Sequence, residues 1–148
     1  MEEKNIQIIE EEIIDDFSVF DDWMQKYEYI IEYGKSLLPM DDVYKTEQNK
    51  VAGCQSQVWL YTEFKNGNVI FQADSDAIIT KGLVGLLVRV LSNHKPQDIV
   101  KAKLEFIDKI GMKEHLSPNR SNGLVSMINH MKKNAESYLH KNITGGKC

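Results

Sequence analysis

The sequence predicts an α+β fold, with a small antiparallel sheet of about three strands packed against several helices. Three observations predict it. Alternating apolar positions flank the dipeptide Asn66-Gly67, the mark of a tight hairpin. A strongly apolar helical stretch follows at residues 77–92 and covers more than one helix face, so it belongs at a buried centre. Amphipathic helical patterns occupy both ends of the chain. The 148 residues, 42% apolar and 27% charged, suit a single soluble domain over residues 1–140, with a disordered tail expected at 141–148.

Taken in order, Ile6, Ile9, Ile13 and Phe17 recur at helical spacing, with Glu10, Glu11 and Glu12 facing away as a solvated surface. Ser18 to Asp22 reads as a break in which Asp21 or Asp22 caps the next helix. That helix, Trp23 to about Leu37, aligns Trp23, Tyr27, Ile30, Ile31 and Gly34 on one stripe, and Pro39 stops it. Residues 40–50 are polar and unpatterned, which predicts a loop, and a loop leading straight to a thiol is a candidate movable cover. Gln57 to Phe64 alternates as a strand, Lys65 to Asn68 turns, and Val69 to Ala73 returns; a third strand is expected near Asn49 to Ala52.

Asp74, Ser75 and Asp76 are placed to cap the apolar helix, Ala77 to about Ser92. Gly82 and Gly85 each cost about 1 kcal/mol against alanine inside a helix. Their presence predicts close packing of another element. Pro96 opens a short helical turn, and a further short helix near Leu104 to Ile110 closes at Gly111. Residues 115–123 read as turn and cap residues. The last helix, Leu124 to about Leu139, turns Leu124, Ile128, Met131, Ala135 and Leu139 inward.

Composition narrows the function. A net charge of −4 argues against a general nucleic-acid surface. The acidic start resembles no signal peptide, and the apolar stretch Ile78 to Leu91, broken by Thr80, Lys81 and Arg89, is too short to span a bilayer. A cytoplasmic location with reduced thiols is expected, without membrane or nucleic-acid partners. Cys54 and Cys148 are the two cysteines, too few for the three or four clustered ligands of a zinc or iron–sulfur site, so no metal is expected.

Cys54 is the candidate working residue. Gly53 before it allows a tight or positive-φ turn, and the following strand holds the loop so that the thiol is presented at its tip. The bland alternative is a small buried hydrophobe, which most free cysteines are.

Gly53-Cys54-Gln55-Ser56-Gln57-Val58-Trp59 resembles the signature of the SufE-like sulfur acceptors, the Suf-type cysteine desulfuration proteins. Four further blocks are similar to that family and stand in its order. They are Trp23 through Gly34 to Leu38-Pro39, Asp74-Ser75-Asp76-Ala77 with Lys81-Gly82-Leu83, Pro96 to Ile99, and His115 to Leu124. The resemblance covers about residues 20–130. It implies an α+β fold shared with U-type iron–sulfur scaffold proteins. It also implies that Cys54 accepts persulfide sulfur from a pyridoxal-phosphate-dependent cysteine desulfurase, stimulates that enzyme and hands sulfur to a cluster-assembly scaffold. No cofactor is implied for this chain, since pyridoxal phosphate belongs to the desulfurase. Such transfer is attack by a thiolate on the outer sulfur of a persulfide and needs one accessible cysteine.

With the resemblance come expectations for other residues. Backbone N–H groups after Gly53, and the side chains of Gln55 and Ser56, are expected to hydrogen-bond the sulfur. Asp76 falls in the block that influences how the cysteine loop sits, with helix capping as the equal alternative. Arg120 is a candidate for pairing with an acidic patch on the desulfurase, and His115 for binding the partner or tuning the thiol. Competing readings are a free-standing cysteine hydrolase using His94, His115, His130 or His140 as base, an iron–sulfur scaffold, and an acceptor of a sister branch serving another desulfurase. Gln55-Ser56-Gln57 favours the Suf branch.

Overall fold

The structure is a computed structural model that describes residues 5–37, 39–54 and 56–145. Helix α1, Ile6–Ser18, starts where the Asn5 side chain accepts a hydrogen bond from the Ile8 amide at 2.8 Å. Helix α2, Trp23–Lys35, starts where the Asp22 carboxylate accepts from the Gln25 amide at 2.9 Å, so Asp22 is the cap expected there. Strands β1, Val58–Lys65, and β2, Asn68–Ser75, pair antiparallel from Val58 opposite Ser75 to Lys65 opposite Asn68. Asn66 and Gly67 both sit at positive φ (54° and 84°), as the predicted tight hairpin requires. Helices α3, Ile78–Leu91, α4, Pro96–Lys101, α5, Phe106–Lys109, and α6, Met112–His115, follow, and α7, Pro118–Gly145, completes the order.

Helix α3 is the centre. It packs on β2 on one side and on α2 on the other, and Leu83, Leu86, Leu87, Val90 and Leu91 are all buried. The contact with α2 is a backbone contact: a Cβ placed on Gly82 would lie 2.1 Å from the Ile30 carbonyl oxygen, and one on Gly85 would lie 2.6 Å from the Leu37 side chain. The close approach inferred from these two glycines is therefore present. Helix α7 closes another side with Leu124, Met127, Met131 and Ala135. Met127 is the fully buried member at that turn, and the expected Ile128 packs against the core beside it, partly buried.

Four expectations are corrected. The sheet has two strands among the described residues, not about three. The segment near 49–52 contributes a single bridge, Lys50 opposite Trp59, with the Val51 amide bonded to the Val58 carbonyl at 2.9 Å. A 3-10 turn over Glu47–Asn49 and the bend at Gly53 leave it no length to extend. The opposite edge is covered by Ser92 to His94, through Val69 N–H to the His94 carbonyl at 2.8 Å and Asn93 N–H to the Val69 carbonyl at 2.7 Å.

The carboxylates before α3 do not cap it. Its N-cap is Ala77, which has no side chain to cap with, and the Ser75 hydroxyl accepts the Ala77 amide at 3.2 Å. The last helix begins at Pro118, six residues earlier than Leu124. The Ser117 hydroxyl accepts the Arg120 amide at 3.3 Å and Pro118 stands where a missing N–H costs nothing, so residues read as a turn are the helix's first turns. It also runs on to Gly145 through part of the expected tail, and residues 146–148, Cys148 included, lie outside the described residues.

Candidate functional site

The segment from Val51 to Gln57 enters β1 as a loop fastened at both ends. At its start, Val51 is buried and bonded to Val58. At its end, Gln57 is held three ways: its amide donates to the Asp76 carboxylate at 3.1 Å, and its carbonyl accepts from the Asp76 amide at 3.2 Å and from the Ser75 hydroxyl at 2.9 Å. Asp76 is thus hydrogen-bonded to the end of the cysteine loop and is not the N-cap of α3. Between the two fastenings the chain turns at Gly53, whose φ of 88° is one that L side chains resist. A Cβ there would also fall 2.4 Å from the Ser126 hydroxyl oxygen, so the turn is pressed against α7.

Cys54 is half-buried at this turn, and its thiol donates to the Gly123 carbonyl of α7 at 3.7 Å. Two cavities meet at its side chain. One, of about 360 Å³, has Cys54, Ser56, Thr80, Leu83, Arg120 and Met127 in its wall. The other, of about 320 Å³, is bordered by Gly53, Cys54, Asn119 and Asn122. Burial pushes the thiol pKa up, because a thiolate loses water there. The hydrogen bond to Gly123 runs to an acceptor, which also favours S–H over S⁻. Its polarity is opposite to that of the donors expected around the sulfur. Ser56 lines the larger cavity, and Gln55 lies outside the described residues.

Gly53, Cys54, Ser56 and Arg120 are brought together at these cavities, with Asp76 one step away through Gln57. Arg120 donates to the Tyr27 hydroxyl, and its guanidinium carbon lies 5.9 Å from the centre of that ring. His115 is not part of the group: its ring stacks on Trp23 at 4.5 Å and 14°. No histidine lines either cavity among the described residues. Segment 40–50 is pinned to the sheet and lines neither cavity, so it is no cover for the thiol in this conformation. Tyr44 stacks on Tyr61 at 4.0 Å, the Asn49 side chain donates to the Tyr44 carbonyl at 2.7 Å, and Lys45 lies 3.2 Å from Asp74. Burial alone would raise the Asp74 pKa. The Ser75 amide, with Lys45 and with Lys81 at 3.5 Å, outweighs that effect and holds it below the usual value.

Gly123 and Ser126, which touch the cysteine loop, were not among the expected site residues, nor were cavity-wall residues such as Thr80, Asn119 and Met127. Gly123 carried no signal while it read as part of a turn; only with α7 starting at Pro118 does it stand inside a helix, where a glycine costs about 1 kcal/mol and calls for a reason. Ser126 carried none. Among the described residues no group of three or more His, Cys, Asp or Glu is placed to hold a metal, and no helix is long and apolar enough to cross a membrane.

Residues 11–135 match the family model described as SufE: Fe-S metabolism associated domain. An uncharacterized SufE-like protein of Rhizobium meliloti (strain 1021) is 42% identical over 134 residues, covering 87% of this chain and 96% of its own. SufE-like protein 1 of Arabidopsis thaliana, named as chloroplastic/mitochondrial, is 41% identical over 136 residues. That alignment takes in 91% of this chain but 36% of the plant protein, so the plant protein is much the longer. The solution structure of a hypothetical protein from Thermus thermophilus superposes with a TM-score of 0.73 at 19% identity, over 89% of this chain and 96% of that one, and so shares the fold.

Proposed function

The chain belongs to the SufE family, whose domain is associated with iron–sulfur metabolism, and from that premise we propose that it is a sulfur acceptor working through Cys54. The thiolate of Cys54 attacks the outer sulfur of a persulfide carried by a pyridoxal-phosphate-dependent cysteine desulfurase of the Suf type. A new S–S bond forms at Cys54, the donor's S–S bond breaks, and the donor cysteine leaves as a thiolate. Removing the product sulfur raises the desulfurase's turnover, and the sulfur passes on to an iron–sulfur scaffold complex. The pyridoxal phosphate is the partner's, and the reading needs a reducing compartment such as the cytoplasm.

The observation that carries this reading is the seat of Cys54. The thiol stands at the tip of a loop clamped at both ends, half-buried and bordered by two cavities. Burial and the Gly123 carbonyl keep it protonated at rest, so docking of the donor has to shift the thiol toward its anion before attack. Arg120, in the wall of the larger cavity, is the side chain we assign to an acidic partner surface. A free-standing hydrolase would want a histidine within hydrogen-bond reach of the nucleophile, and among the described residues the cavity walls supply none.

Intact-mass spectrometry tests the proposal. After incubation with a cysteine desulfurase, pyridoxal phosphate and cysteine, the protein should gain roughly 32 Da per transferred sulfur, lost on reduction and absent in Cys54→Ser. An unmodified protein that also fails to raise desulfurase turnover would overturn it.

A further inference from the structure

Gly123 sits inside α7, where alanine would be the better residue for helix stability. Its backbone is helical, so no left-handed conformation asks for glycine there. The packing of the resting state does not ask for it either. A Cβ on Gly123 would meet the Cys54 Sγ at 3.6 Å, its Cα at 3.7 Å and its Cβ at 3.9 Å, all ordinary van der Waals contacts. Gly82 is the opposite case, where a Cβ would be driven into the Ile30 carbonyl. The three atoms nearest the missing methyl all belong to the one residue whose covalent state is proposed to change.

We propose that Gly123 is a positioning residue for the sulfur-loaded form of Cys54, its absent side chain leaving the room that the outer sulfur takes. This rests on the acceptor reading above. In the loading step the Cys54 thiolate forms a bond to the sulfane sulfur of the donor, and the donor's S–S bond breaks. The donor cysteine leaves as a thiolate and takes up the proton that Cys54 released; the sulfane sulfur keeps its oxidation state. The added atom lies about 2.05 Å from Sγ. A methyl 3.6 Å from Sγ would crowd that atom over about a third to nearly half of its directions, given contact distances near about 3.5–4.0 Å. Alanine is thus compatible with the thiol and costly to the persulfide.

The test uses a Cys148→Ser background as wild type, so that Cys54 is the one thiol, and loads it and its Gly123→Ala and Cys54→Ser variants from a low-molecular-weight donor, glutathione persulfide, so that no protein docking is involved. Loading is read at equilibrium by intact mass at a fixed ratio of donor to thiol. Wild type is expected to load, Cys54→Ser not to, and Gly123→Ala to show a loading constant about tenfold lower. The absorbance titration of its Cys54 thiolate should stay unchanged and its thermal midpoint should be at or above wild type. Gly123→Ser, which adds a further atom, should deepen the deficit. Equal loading of wild type and Gly123→Ala overturns the inference and leaves the acceptor reading standing. A Gly123→Ala that loads normally from glutathione persulfide but fails with a desulfurase also overturns it, by assigning the glycine to docking. A wild type that loads from neither donor removes the acceptor reading and this inference together.

Discussion

Cys54 is held in its uncharged form by burial and by a carbonyl that accepts a hydrogen bond from its thiol, and both leave measurable traces. Its pKa is higher in the folded chain than in the unfolded one. The folded state therefore keeps the proton over a pH range where the unfolded state has lost it, and this contribution to stability is full below the unfolded value. It is lost as pH rises through the folded value. Denaturant midpoints should accordingly fall more steeply above about pH 8.5 in wild type than in Cys54→Ser. Equal slopes would show that the thiol is as well solvated as in the open chain. The neighbouring glycine is fixed by two separate demands, its φ of 88° and the Ser126 hydroxyl. Gly53→Ala should cost about 1–3 kcal/mol in chemical denaturation. Adding Ser126→Gly should recover the steric share and leave the backbone share.

The elements explain which parts of the sequence could be read and which could not. Periodicity is a property of single helices and strands, so α1, α2, α3 and the hairpin were legible within about two residues of their ends. A close approach to α3 was legible too, though not that α2 makes it, because two glycines in one helix have few other uses. What failed were competitions between local signals. Ser117-Pro118 followed by Asn, Ser and Gly has the composition of a turn, yet the same Ser-Pro pair starts a helix when the residues beyond it pack. Asp74, Ser75 and Asp76 have the composition of caps, but Lys45 and Lys81 hold Asp74 inside, and pairing across that much chain leaves no local pattern. Asp74→Asn should cost about 2 kcal/mol, since it leaves a buried amide where two ammonium groups had a carboxylate. Because the Asp74 pKa is lowered on folding, its contribution is present above the unfolded value near about 4 and is lost as pH falls through the folded one. Wild type should therefore lose stability on acidification below about pH 4 more steeply than Asp74→Asn; parallel curves would remove the ion pairs from the account.

Across the whole molecule, the sheet and α3 form a frame on which the cysteine loop is hung, and α7 supplies the surface it leans on. The site was legible as a motif around Cys54 but not as a place, because its other half comes from a helix whose first turns read as a loop. The partners Cys54 and Gly123 stand 69 positions apart in the chain. That separation has a consequence for synthesis. A ribosome releases Cys54 well before it has made α7, so for part of its early life the thiol has no carbonyl to lean on and no cavity wall beside it. During that interval it is an ordinary solvated cysteine, open to any oxidant or electrophile at hand. The protection of this thiol is thus one of the last properties the newborn chain acquires.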